Sequence, residues 1–223
     1  MAKILTGTTT ATSDHPQVVT LLIDDSGSMT EQNKCVTATE GVQNLIIQMQ
    51  ADNVGSHGKR YIVNIAKFGD QAEPMVTCEH PDRVDLDHVV FSGDSGLTNM
   101  ADALAWAAHA IQQSLAIARQ VPNYMESLAP NPVVLFFSDG ANTEGDPLPY
   151  AQALKSIPFQ GGQVDVVAVG IGLGHDEMRM MQAIASRPEL AVNIDPAQLA
   201  DFLAACGQTA VGGKLEMPKM ARQ

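Results

Sequence analysis

Five short segments of the chain are apolar almost without interruption and rich in β-branched residues: VVTLLID (18–24), RYIVNIAKF (60–68), VVLFFSD (133–139), VDVVAVGIG (164–172) and the weaker LAVNID (190–195). A strand with one face in water alternates apolar and polar residues. Continuous hydrophobicity over so short a run means burial on both faces, as in a parallel sheet covered by helices. AEPMVTC (72–78) differs, because it follows the second segment after only a Gly-Asp-Gln turn. That spacing predicts a hairpin, with this strand antiparallel at an edge of the sheet.

Helical periodicity fills the intervals. Cys35, Ala38, Val42, Leu45, Ile46 and Met49 step by three and four along one face, which makes Cys35 a core residue. Met100, Ala103, Leu104, Ala107, Ile111 and Leu115 repeat the pattern within 99–119, and shorter helices are predicted at 147–155, 176–185 and 196–205. Strands alternating with helices predict an α/β fold, a three-layer doubly wound Rossmann-like sandwich, mostly parallel with one antiparallel edge strand. The expected division is an N-terminal extension (1–16), one domain (17–206) and a loosely held C-terminal tail (207–223). PNYMESLAPNP (122–132) reads as a surface connection.

At 223 residues a single domain can bury about 70% of its unfolded surface. The 25 acidic against 13 basic residues give a net charge of −12, which repels phosphate backbones and anionic lipid. Nucleic acid is therefore not an expected partner. No segment has the length and apolarity of a membrane span or an export signal. Three cysteines, widely spaced and without a CxxC pair, point to a reducing compartment, with the cytoplasm the expected location.

In a doubly wound sheet, ligands gather where the strands end. Three polar clusters fall there: Asp24, Ser26 and Ser28 after the first strand, Thr98 ahead of the long Ala-rich helix, and Asp139 closing VVLFFSD. Two carboxylates and three hydroxyls are hard oxygen donors. They suit Mg²⁺, with Mn²⁺ or Ca²⁺ as alternatives, and argue against zinc or copper. Gly27 is expected to permit the sharp turn that points both serines inward. Asp25 reads as an exposed turn carboxylate, Asn99 as a helix cap, and Asn142, Thr143 and Glu144 as an ordinary polar loop.

These residues carry a resemblance. Asp24-Asp25-Ser26-Gly27-Ser28 is similar to the DxSxS signature of von Willebrand factor A domains, SGLTNMADAL (95–104) resembles their threonine loop, and FFSDGANTEGD (136–146) resembles their second aspartate loop. The likeness spans Val18 to Cys206 and includes VDVVAVGIGLG, similar to the penultimate strand of bacterial members. Leu97 stands where many members carry a second glycine. The resemblance implies a complete metal-ion-dependent adhesion site in a bacterial stand-alone A domain, similar to tellurium-resistance-associated proteins. In it Ser26 and Ser28 touch the metal, Thr98 does so directly or through water, and Asp24 and Asp139 act mainly through water or hydrogen bonds. The implied function is noncatalytic: the ion, left electrophilic by neutral hydroxyls, accepts an Asp or Glu carboxylate from another protein, in a stress-response or regulatory complex. In related A domains the final helix can shift with site occupancy, and the resemblance makes Asp195 to Cys206 that element here.

Other readings of the same residues are a helix-capping turn at DDSGS, a Mg²⁺-dependent phosphoryl-transfer enzyme with Asp24 as nucleophile, and a structural subunit whose metal clamps three loops. GDSGL (93–97) resembles a serine-protease nucleophile segment, but it lies in an α/β pattern and lacks the final glycine. GIGLG (170–174) has His175 where a dinucleotide fingerprint needs its last glycine. The six histidines are scattered, without metal-ligand spacing.

Overall fold

The structure, a computed structural model, describes residues 10–55, 60–160 and 162–211. Residues 1–9 of the expected N-terminal extension and 212–223 of the expected tail lie outside them. Six strands, β1 (Gln17–Asp24), β2 (Tyr61–Phe68), β3 (Ala72–Glu79), β4 (Val133–Ser138), β5 (Asp165–Ile171) and β6 (Ala191–Ile194), form one sheet in the order β3-β2-β1-β4-β5-β6. All pairings are parallel except β2 with β3. The continuous apolar runs explain the arrangement: every residue of β1, β4 and β5 is buried, so these strands need cover on both faces. Each Val, Leu or Ile so buried contributes about 1.5–3 kcal/mol.

Helices α1 (Lys34–Gly55), α2 (Met100–Ala118), α3 (Leu148–Lys155), α4 (His175–Ile184) and α5 (Leu199–Val211) supply that cover. Helices α1 and α5 pack on each other so closely that a Cβ at Gly41 would lie 2.4 Å from Leu203 Cδ1. Helix α5 continues to Val211, where the composition from Gly207 onward had suggested a tail. Among the described residues no helix is long and apolar enough to cross a membrane. Cys35 and Cys78 are free thiols, and Cys35 is buried in the core as its helical spacing predicts.

The edges are irregular. Strand β3 carries Pro74, and its register with β2 shifts twice, between Val63 and Ile65 and again between Ile65 and Ala66. Near its end Cys78 takes φ 56°, and the buried Asn64 side chain accepts its amide at 2.8 Å. At the opposite edge β6 has only four residues.

The strand order reverses between β1 and β4. Sequential strands run outward from β1 in one direction and from β4 in the other, opening a crevice at their carboxyl ends. Asp24 is the last residue of β1, and Asp139 follows the last residue of β4.

Candidate metal and interaction site

The turn after β1 runs through a 3₁₀ segment, Gly27–Asn33, before α1 begins. Ser26 occupies its N-cap position without making a capping hydrogen bond. Its hydroxyl instead lies 3.2 Å from that of Ser28, which donates to Asp139 Oδ1 at 2.7 Å. The capping-turn reading of DDSGS therefore has no side-chain capping bond from Ser26 behind it. Thr98 reaches the same place from the loop before α2: a Cβ built on Gly140 would lie 3.7 Å from both Ser28 Oγ and Thr98 Oγ1. Thr98 is 4% exposed, and its hydroxyl makes no hydrogen bond among the described residues.

Asp24 is fully buried. Its Oδ1 accepts the Ser26 amide at 2.9 Å and its Oδ2 the Ser138 hydroxyl at 2.6 Å. Burial pushes its carboxyl up to about 6, against the opposing pull of the Ser138 and Ser26 hydrogen bonds and with a further push from the Asp139 charge. Ser138 was missed by sequence reasoning. The register would have found it: Ile23 pairs with Phe137 across β1 and β4, so the next residues, Asp24 and Ser138, come together at the strand ends.

Three expectations are corrected. Asp25 is no exposed turn carboxylate, for it is fully buried. Its Oδ1 accepts the amides of Ser92 at 2.7 Å and Gly93 at 2.6 Å, its Oδ2 accepts the Ser95 hydroxyl at 2.8 Å, and Lys67 Nζ stands 3.3 Å away. Together with the Ser95 amide donating to Asp25 O at 3.0 Å, these bonds tie the turn after β1 to the threonine loop. Gly27 is not the source of the turn's shape either. Its φ is not positive, and a Cβ there would meet nothing within 4 Å. The left-handed residues are Gln32 (φ 53°) and Asn33 (φ 57°), at the far end of the segment. Nor is 142–144 an ordinary loop: the Thr98 amide donates to Thr143 Oγ1 at 2.9 Å, the Thr143 amide to Thr98 O at 2.9 Å, and the Met100 amide to Asn142 Oδ1 at 3.0 Å. The Asp139 loop thereby holds the Thr98 loop.

Asn99 caps α2 as its position predicts, accepting the Asp102 amide at 3.1 Å. Gly96 supplies the left-handed step of the threonine loop (φ 87°), so no glycine is needed at 97, where Leu97 is 51% exposed. The turn after β2 supports this loop from below, with the Leu97 amide donating to Asp70 Oδ1 at 2.7 Å and the Asn99 amide to Gly69 O at 2.8 Å.

Sequence reasoning also missed Lys34. The two left-handed residues before it swing the chain so that this first residue of α1 points inward, with its side chain 8% exposed and its ammonium paired with Asp139 Oδ2. Lys34 and Lys67 thus pair with Asp139 and Asp25, while Asp24 makes no ion pair among the described residues. Among those residues no three His, Cys, Asp or Glu side chains gather closely enough to hold a metal. Any cation held here would meet hydroxyls and carboxylates, all hard oxygen donors.

The von Willebrand factor type A domain family matches residues 19–204. The chain belongs to that family. No curated protein matches it. Among solved structures, proximal thread matrix protein 1 from the mussel byssus is similar over 90% of this chain and 49% of its own, with 19% identity and a TM-score of 0.64. A further structure of that protein, described as having a zinc-occupied MIDAS motif, gives 18% identity, the same coverages and a TM-score of 0.61. The pilus adhesin SpaC from Lactobacillus rhamnosus GG is similar over 91% of this chain and 31% of its own, at 14% identity and TM-score 0.67. A von Willebrand factor type A structure from Catenulispora acidiphila has 19% identity and TM-score 0.62, covering 89% of this chain and 43% of that one. The chain therefore spans about half or less of each of these proteins, and at such identities the likeness is one of fold.

Proposed function

We propose that the chain is a divalent-metal-dependent protein-interaction module whose adhesion site is formed by Asp24, Ser26, Ser28, Thr98 and Asp139. The observation that carries this reading is the meeting of three hydroxyls from two loops around two carboxylates, one of which, Asp24, is fully buried and makes no ion pair among the described residues. A buried carboxylate at such a place calls for positive charge. The Ser26, Ser28 and Thr98 hydroxyls and the Asp139 carboxylate would hold the ion, and Asp24 would orient the Ser26 amide and Ser138 around it. Bound there, Mg²⁺ would supply an electrophilic centre for an Asp or Glu carboxylate of a protein partner.

The chain's own residues act by preorganisation. Asp25 fixes the threonine loop to the β1 turn, and Thr143 fixes it to the Asp139 loop, so that the hydroxyls are aligned before any partner arrives. Both oxygens of Asp24 are engaged in hydrogen bonds, and its burial leaves no open face for attack on a phosphoryl group, which favours binding over phosphoryl transfer. The pilus adhesin and byssus matrix proteins of similar fold support interaction with other macromolecules, and the matrix-protein structure with a zinc-occupied MIDAS motif supports metal binding. A setting in a cytoplasmic bacterial stress-response complex of the tellurium-resistance kind rests on the sequence resemblance alone. The test is retention of partners from lysate by the immobilised full chain in Mg²⁺, in EDTA, and with Asp24→Ala. Retention is expected only for the wild type in Mg²⁺; equal retention in all three would end the proposal.

A further inference from the structure

We propose that Lys34 is a built-in competitor for the metal site: its ammonium neutralises Asp139 when no metal is present and must release that carboxylate for a dication to use it. The inference deepens the proposed metal site and rests on that reading.

Four observations carry it. First, the Lys34 ammonium and the Ser28 hydroxyl together engage both oxygens of Asp139, one each. The carboxylate therefore cannot serve a metal through Oδ2 while that ion pair lasts. Second, Lys34 stands at the first position of α1, where the helix dipole is positive and a cation is disfavoured, and the first turn of the helix has no acidic residue to offset it. The position is thus electrostatically poor on its own and gains its compensation from Asp139 across 105 residues. Third, two consecutive non-glycine residues in the left-handed region, Gln32 and Asn33, deliver Lys34 to this place. That conformation costs about 1–2 kcal/mol per residue, so a chain with no use for an inward lysine would gain by relaxing it. Fourth, the Asp139 side chain has no exposure and that of Lys34 only 8%, so water offers the carboxylate little alternative to the ammonium.

The charge balance favours exchange over coexistence. Asp24 and Asp139 contribute two negative charges and a dication two positive ones, so an added ammonium at Asp139 would leave a surplus positive charge in a buried space. A long flexible stem lets lysine withdraw its charge toward solvent more readily than a shorter side chain could. Lys34 then acts as a gate that raises the metal concentration needed to arm the site and keeps the empty site intact below it.

Isothermal titration of MgCl₂ into the EDTA-stripped full chain tests this directly, comparing wild type, Lys34→Gln and Lys34→Arg. Two ligands competing through one group are commonly coupled by about 5- to 150-fold, so Lys34→Gln is expected to bind Mg²⁺ tighter by a factor in that range, with Lys34→Arg close to wild type. In EDTA the Lys34→Gln protein should melt below wild type, and in saturating Mg²⁺ the gap should close. Equal Mg²⁺ affinity in wild type and Lys34→Gln would overturn the role of Lys34 and leave the metal site standing. Uptake by Lys34→Gln alone would support the competition and overturn metal dependence in the natural chain. No uptake by either would overturn both. A readout that needs no variant is the lysine Cε resonance of Lys34 in selectively ¹³C-labelled wild type: it should move as Mg²⁺ is added, and a resonance that stays in place while Mg²⁺ binds would sink the inference.

Discussion

Asp25 and Asp139 stand at the same edge of the sheet, each with a buried side chain and each paired with a lysine, yet they are held in opposite ways. Asp25 accepts two main-chain amides and a hydroxyl in addition to its ion pair with Lys67. Main-chain donors cannot leave without unfolding the loop that carries them. Asp139 accepts one hydroxyl and one ammonium, both on side chains that can rotate away. The difference separates a carboxylate that builds the site from one that is available to it.

The sharpest way to break this contrast is Asp25→Ala. It leaves the Ser92 and Gly93 amides and the Ser95 hydroxyl without their acceptor and leaves Lys67 only its exposed partners Glu73 and Asp94, and is expected to cost about 3–5 kcal/mol in urea unfolding. A loss below about 1 kcal/mol would show that Asp25 is no scaffold. Asp139→Asn should cost less, about 1–2 kcal/mol, because Lys34 can withdraw to water, while Mg²⁺ uptake by calorimetry should fall at least about tenfold. If both aspartates cost the same, the distinction between fixed and exchangeable partners fails. Thr143→Val removes the acceptor of the Thr98 amide and should cost about 1 kcal/mol, with Mg²⁺ affinity weakened by about tenfold through the loosened loop. The smallest effect belongs to Leu97→Gly. With the left-handed step already on Gly96 and the Leu97 side chain half in solvent, thermal unfolding should place it within about 0.5 kcal/mol of wild type.

The sheet was legible in the sequence because β1, β4 and β5 are buried along their whole length and carry the fact as unbroken apolar runs. The antiparallel β3 was legible from a short turn. The meeting of Asp24, Ser26, Ser28, Thr98 and Asp139 followed from parallel topology, which puts the ends of alternate elements at one edge. Less visible was everything that depends on main-chain amides. The amides of Ser92 and Gly93 that bury Asp25 leave no mark on residue type, so a carboxylate in a turn looked solvated. Lys34 was hidden because periodicity reads the helix from Cys35 onward and is silent about the left-handed pair that precedes it. Gly27 misleads for a related reason: glycine is permitted unusual φ values, but this one does not use them.

The irregular margins of the sheet limit how a further strand could add to it. A straight outer strand is an invitation to a neighbour's backbone and a seed for fibrils, but Pro74 withholds a donor, the twice-shifted register of β3 disrupts the ladder, and β6 is too short to template much. Sideways growth by strand addition is therefore discouraged at both flanks of the sheet.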